Sequence, residues 1–188
     1  MRFVSLLLFC GSCLGLSWLG MMAIHELGHV IGVMLTGGQV QQVVLHPFEI
    51  SRTDVSPNPS PGIVVWLGPV FGAFVPIVIW LAIPASWAWL RSLAQWMAGF
   101  CLIANGCYIG FGSFARIGDC RQMLESGSPI WALWLFACVT IVPGVWLWHS
   151  LGSLDQLWKT EHPISLRAAA ITFATFVACG IVLALLSG

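Results

Sequence analysis

Long apolar stretches alternate with short polar ones along the chain. From Phe3 to Thr36 the only acid is Glu26. As one helix that run measures roughly 50 Å at 1.5 Å per residue, whereas about 20 residues cross a bilayer core. The first span is therefore expected to tilt, break near Gly15 or Gly20, or protrude. Gly37-Gly38 stops it. Val40 to Ile50 alternates weakly, with Val43, Val44, Leu45, Phe48 and Ile50, and predicts a short hairpin or strand pair. Ser51 to Gly62 is polar, contains three prolines and reads as a loop. Uncharged or nearly uncharged runs then recur at Ile63–Ile83, Leu90–Phe114, Pro129–Trp148 and Leu166–Leu186, and Arg116–Ser128 and Ser150–Ser165 are polar. The pattern predicts an all-α integral membrane protein of about five transmembrane helices, with a short β hairpin after the first. Residues 1–188 are expected to form a single membrane-embedded domain, because neither polar stretch is long enough for a soluble one.

Composition names the solvent. Of 188 residues, 59% are hydrophobic and 7% charged, against about 25% charged in soluble domains. Seven acids and seven bases cannot cover a water-facing surface of this size, so most of the surface faces lipid. Eleven tryptophans against one tyrosine agree, since indoles favour membrane interfaces. A net charge of zero provides no basic face for nucleic acid. Cys10 and Cys13 form a C-x-x-C inside an apolar run with no second pair, and read as small lipid-facing residues. Arg2 followed by Phe3 to Phe9 has the outline of a signal peptide, but no small-residue cleavage site follows. The segment reads as a retained anchor.

The chemistry lies in His25-Glu26-Leu27-Gly28-His29. Histidines four apart share one helix face, one turn apart, and each can offer a nitrogen to one zinc ion. Glu26, about 100° around the helix, can take a proton from water polarised by that ion. A carboxylate at mid-bilayer costs about 2.5–3.5 kcal/mol on insertion scales, and a divalent cation offsets this. The alternative is a pair of helix-packing histidines with Glu26 hydrogen-bonded to a neighbour.

Two histidines require a third protein ligand. Alternating spans put His149 and His162 at the end of the bundle away from the motif. At the near end stand His46, Glu49, Asp54, Asp119 and Glu125. Asp119 stands out in Arg116-Ile117-Gly118-Asp119-Cys120-Arg121, directly after an apolar span, although a turn-capping aspartate paired with an arginine fits that context too. Basic residues divide four against three between the two sides, so charge does not orient the protein.

His-Glu-Leu-Gly-His inside a span, a Gly-Gly turn, a short β segment, Leu67-Gly68-Pro69, Asn105 and Gly118-Asp119 follow in an order that resembles the site-2-protease family of intramembrane zinc metalloproteases. The likeness covers roughly residues 18 to 130, as a divergent, minimal core without a PDZ-like domain. It implies His25, His29 and Asp119 as Zn2+ ligands, Glu26 as the catalytic base, and a cytoplasmic side at the motif's end of the bundle. It also implies a free edge on Val40–Ile50 able to pair with an extended substrate. The chain departs from the family at Gly72, where many members carry asparagine, and in lacking an Asn-Pro-Asp-Gly or Leu-Asp-Gly string. Asn105 is a candidate for binding substrate backbone, for orienting Asp119, or for a plain interhelical hydrogen bond. Gly68 and Gly72 form a G-x-x-x-G suited to close helix packing, and Pro69 and Pro76 are candidate bends.

The leading functional expectation is therefore a zinc metalloendopeptidase acting on membrane proteins in or near a transmembrane segment, in the plasma membrane if the source is prokaryotic. The alternative is a non-proteolytic zinc protein that binds transmembrane partners. A metal transporter is a poorer fit, because the spans lack further acids or histidines for an ion path.

Overall fold

The computed structural model describes residues 2–47, 51–152 and 164–186. Helix α1 spans Arg2–Thr36 without a break at Gly15 or Gly20. It ends where Gly37 takes a positive φ of 74° and the Gly38 N–H reaches back to the Val33 carbonyl at 3.0 Å, a left-handed helix stop that glycine adopts without a Cβ clash.

The hairpin pairs β1 (Val40–Val44) with β2 (Arg52–Val55) in antiparallel register, Val43 opposite Thr53 and Val44 opposite Arg52. The second strand therefore lies in the stretch expected to be loop, not inside Val40–Ile50. Its sequence is Arg-Thr-Asp-Val, with Arg52 and Asp54 exposed, so it carries no apolar alternation to betray it. The hairpin folds back along α1. Thr53 meets Glu26, and Leu45 packs against the cluster of Leu19, Met21 and Met22. Leu19 lies roughly 25 Å down the helix from Thr36 at 1.5 Å per residue. Extended backbone beside a spanning helix is tolerated where it lines a cavity or is covered by protein.

Helix α2 (Pro61–Ala82) opens with proline in its first turn, where no N–H is needed, and keeps Pro69 and Pro76 in its buried face. Helix α3 covers Ala88–Ala115. A left-handed Arg116 and Gly118, each at φ 51°, then turn the chain into a short helix α4 (Gly118–Glu125), an element not anticipated from sequence. Helices α5 (Ile130–Ser150) and α6 (Leu166–Leu186) complete the chain.

Among the described residues, five helices are long and apolar enough to cross a membrane. The protein is an all-α, multi-pass integral membrane protein with a short hairpin after its first helix. Helix α1 packs on α2 and α6, α2 on α3, and α3 on α5. The α2–α3–α5 core includes Val65, Ala73, Leu102, Ile109, Leu133 and Phe136, with Cys120 and Met123 of α4 closing one end. Close contacts use small residues. A Cβ on Gly144 would stand 3.0 Å from the Gly99 carbonyl, the approach that membrane helices use when apolar burial cannot drive their association.

Candidate metal centre

The ends of α1 and α2, the end of α3 and the start of α4 meet at one end of the bundle. His25, Glu26 and His29 are buried there, at 6%, 2% and 6% exposure. Glycine permits this packing. A Cβ on Gly28, the small residue of the motif, would overlap the Leu67 carbonyl of α2, and one on Gly32 would stand 3.0 Å from the Val64 Cα. Gly28 and Gly32 are thus the pair that brings two backbones together. Gly68 and Gly72, expected in that role, face side chains instead. Gly68 makes room for the His29 ring, and a Cβ on Gly72 would lie 2.6 Å from Asn105 Oδ1.

Each imidazole is held by its Nδ1. The His29 Nδ1–H donates to the Val64 carbonyl at 2.8 Å, and the His25 Nδ1–H donates to Asn105 Oδ1 at 2.8 Å. Asn105 is fixed in turn, because its Nδ2 donates to the Cys101 carbonyl at 2.9 Å. Of its expected roles, the geometry shows the interhelical hydrogen bond, which joins α3 to α1 and braces His25 rather than Asp119.

Both Nε2 atoms then turn to one oxygen. Asp119 Oδ2 lies 2.9 Å from His25 Nε2 and 3.4 Å from His29 Nε2. With the ring protons on Nδ1, two Nε2 lone pairs face a carboxylate. That concentration of negative density is stable only with a cation or extra protons between the groups. Where extra protons take that place, the Nε2–H groups of His25 and His29 donate to Asp119 and, against burial, which works the other way, hold its carboxyl well below the usual range.

The donor set fits a divalent cation such as zinc. His25, His29 and Asp119 each offer one ligand atom, all within 4.8 Å of one another. Donors about 2.0–2.1 Å from a tetrahedral zinc stand roughly 3.3 Å apart, and the two observed separations bracket that value. Both histidines also have the acceptor on their second nitrogen that metal-bound imidazoles usually carry.

The other candidate ligands stand elsewhere. Asp54 is exposed and pairs with Arg52 at 3.3 Å, and Glu125 is exposed beside Arg121 at 3.9 Å. Among the described residues the cluster includes neither His46 nor His149. Glu49 and His162 lie outside the described residues. Cys120 adjoins Asp119 but turns away, its thiol donating to the Ile109 carbonyl at 3.4 Å, and burial pushes it up to about 11.

Two neighbours went unread in the sequence. Tyr108, the one tyrosine, accepts the Asp119 N–H at 3.1 Å, and Gly118 lacks the Cβ that would strike its hydroxyl. A single tyrosine three residues after Asn105 was the available signal. Thr53 of β2 donates its hydroxyl to Glu26 Oε2 at 2.7 Å, and nothing local marked it. A cavity of about 200 Å3 is bounded by His25, Glu26, Ser51, Asn105, Tyr108 and Trp18. A larger apolar cavity of about 560 Å3 lies between α1 and α6 and shares Trp18 with it.

The folded chain thus holds a buried His25, His29 and Asp119 cluster, able to coordinate a metal, within a bundle of membrane-spanning helices. Comparisons with family models, curated proteins and solved structures find no match.

Proposed function

We propose that residues 1–188 form one membrane-embedded domain that works as a zinc metalloprotease, hydrolysing peptide bonds in or near transmembrane segments of membrane proteins. One observation carries the reading. Glu26 opens into the same cavity as His25, next to two imidazoles whose Nε2 atoms converge on Asp119.

The resemblance to the site-2-protease family supports it, residue by residue, at His25, Glu26, His29, Gly68-Pro69, Asn105 and Asp119. The family's asparagine near the Gly-Pro pair is absent, yet its space is not empty. Gly72 accommodates an amide from the neighbouring helix, that of Asn105.

Zinc held by His25, His29 and Asp119 would supply Lewis-acid polarisation of a carbonyl and a lowered pKa for water. Glu26 takes the proton from the attacking water and passes it to the leaving amine. Asn105 and Val64 keep the two rings from turning. Asn105, on the cavity wall, also offers an amide to substrate backbone. Walls of Trp18, Met21, Met22 and Ala104 limit water around the reacting groups. A helical substrate segment has its peptide groups engaged and must unwind before it enters.

Glu26→Gln keeps the shape and removes the base. Cleavage of single-span substrates should be lost with zinc retained, and cleavage at the wild-type rate would sink the mechanism. The size of the cavity, about 200 Å3, favours one rival, a non-proteolytic zinc protein that binds transmembrane partners. A Glu26→Gln form that traps proteins which wild type converts to fragments would exclude it.

A further inference from the structure

We propose that Thr53 is a positioning residue for Glu26, and that its hydroxyl is the latch that docks the hairpin onto the metal cavity. The kinetic half of this inference rests on Glu26 being the base; the docking half does not.

The hydrogen bond joins elements far apart in sequence. Thr53 Oγ1 on β2 donates to Glu26 Oε2 on α1 at 2.7 Å, across 27 residues. Thr53 faces α1, whereas its neighbours Arg52 and Asp54 are exposed and pair with each other. The period-2 alternation of a strand thus sends one hydroxyl inward between two outward charges. Ser51, two residues before Thr53, forms part of the cavity wall together with His25 and Glu26. The Thr53–Glu26 hydrogen bond therefore ties the hairpin wall of the cavity to the carboxylate, at a glutamate that is 2% exposed.

Burial gives that contact weight. A carboxylate withdrawn from water needs hydrogen-bond donors, and a bond to an ionised acceptor is about twice as strong as a neutral one. A glutamate side chain has three rotatable bonds. Fixing one oxygen restricts them and presents the other oxygen to the cavity. The same bond secures a two-stranded hairpin, a unit marginal on its own. The Thr53 hydroxyl bonds Glu26, whereas His25, His29 and Asp119 bond one another, Asn105 and Val64, so Thr53 acts on the base and the wall while leaving the metal ligands alone.

The test compares wild type, Thr53→Val, Thr53→Ser, Glu26→Ala and the Thr53→Val/Glu26→Ala double variant, as full chains in detergent. Hydrogen exchange at the amides of residues 52–55 reads docking without any substrate. Exchange should quicken about tenfold or more in Thr53→Val, stay at the wild-type rate in Thr53→Ser, and be no faster in the double variant than in Glu26→Ala. Wild-type exchange in Thr53→Val, or additive effects in the double variant, would overturn the latch. Zinc content should be unchanged in Thr53→Val, and its loss would overturn the separation from the metal ligands. With a cleaved substrate, kcat should fall about tenfold to a hundredfold in Thr53→Val, KM should hold within twofold, and serine should restore the rate. Unchanged kcat in Thr53→Val beside an inactive Glu26→Gln would refute positioning. Full activity in Glu26→Gln would refute the protease mechanism instead, and the exchange data would still judge the latch.

Discussion

Helix α1 makes two contacts that differ in kind. Toward its C-terminal end, Gly28 and Gly32 let α2 approach until backbone faces backbone, and the His25, His29 and Asp119 cluster, able to hold a metal, sits at that seam. Toward its N-terminal end it meets α6, with the Phe176 ring over Gly15 and a cavity of about 560 Å3 between the helices. Ala169 is the one buried residue of α6, while Ile181, Val182, Leu185 and Leu186 are all more than half exposed. Lipid can fill an apolar gap at the second contact. At the first, a shift of an ångström would separate the Nε2 atoms from Asp119. Along α1, close backbone packing coincides with the His25, His29 and Asp119 cluster, and loose packing with a helix that is mostly exposed to lipid.

Adding a methyl group at four glycines would break or sharpen this contrast. The largest effect is expected for Gly28→Ala. Its Cβ meets the Leu67 carbonyl, which belongs to a helix and cannot rotate aside. A loss of about 3 kcal/mol or more, the upper range of overpacking, should appear as a large drop in thermal stability in detergent. A stability near wild type would show that the α1–α2 seam is not tight. Gly68→Ala comes next. Its Cβ displaces the His29 ring, so zinc affinity should fall about a hundredfold or more while the bundle stays folded. Competition with a chelator measures this, and unchanged affinity would remove His29 from the ligand set.

Asn105→Ala frees the His25 ring and should weaken zinc binding about 10- to 100-fold, less than direct removal of a ligand in His29→Ala or Asp119→Ala. Equal loss in all three would mean that Asn105 does more than hold a ring. On the loose side, Gly15→Ala meets only the Phe176 ring, which can turn, and a change of about 1 kcal/mol or less is expected. Gly180→Ala has nothing within 4 Å and should be neutral or slightly stabilising through helix propensity. A destabilisation by Gly180→Ala matching that of Gly28→Ala would erase the contrast between the two contacts.

Much of this was legible along the chain. Spans are long, local and set by transfer from water to lipid, so their ends fall within about two residues of the expected ones, as at Leu166–Leu186. The His25, Glu26 and His29 arrangement depends only on helical pitch and needed no tertiary information. Strand β2 was hidden because four residues with two charges show no pattern until a partner strand is known. Helix α4 was hidden because a left-handed Arg116 has no compositional signature.

The sequence by itself determined the solvent, the number of spans, the side of the bundle on which the motif ends and the pairing of two histidines on one face. These follow from hydropathy and from a period of 3.6 residues, both properties of neighbours in the chain. Only the tertiary structure decided which of five candidates joins the histidines, that a main-chain carbonyl at Val64 and the amide of Asn105 set the ring protons, and that Thr53 reaches Glu26. Those contacts join residues 27 to 94 positions apart. Helix packing over glycine and the folding of the hairpin back onto α1 bring them within 3 Å, and hydrogen-bond strength depends on that distance rather than on any composition.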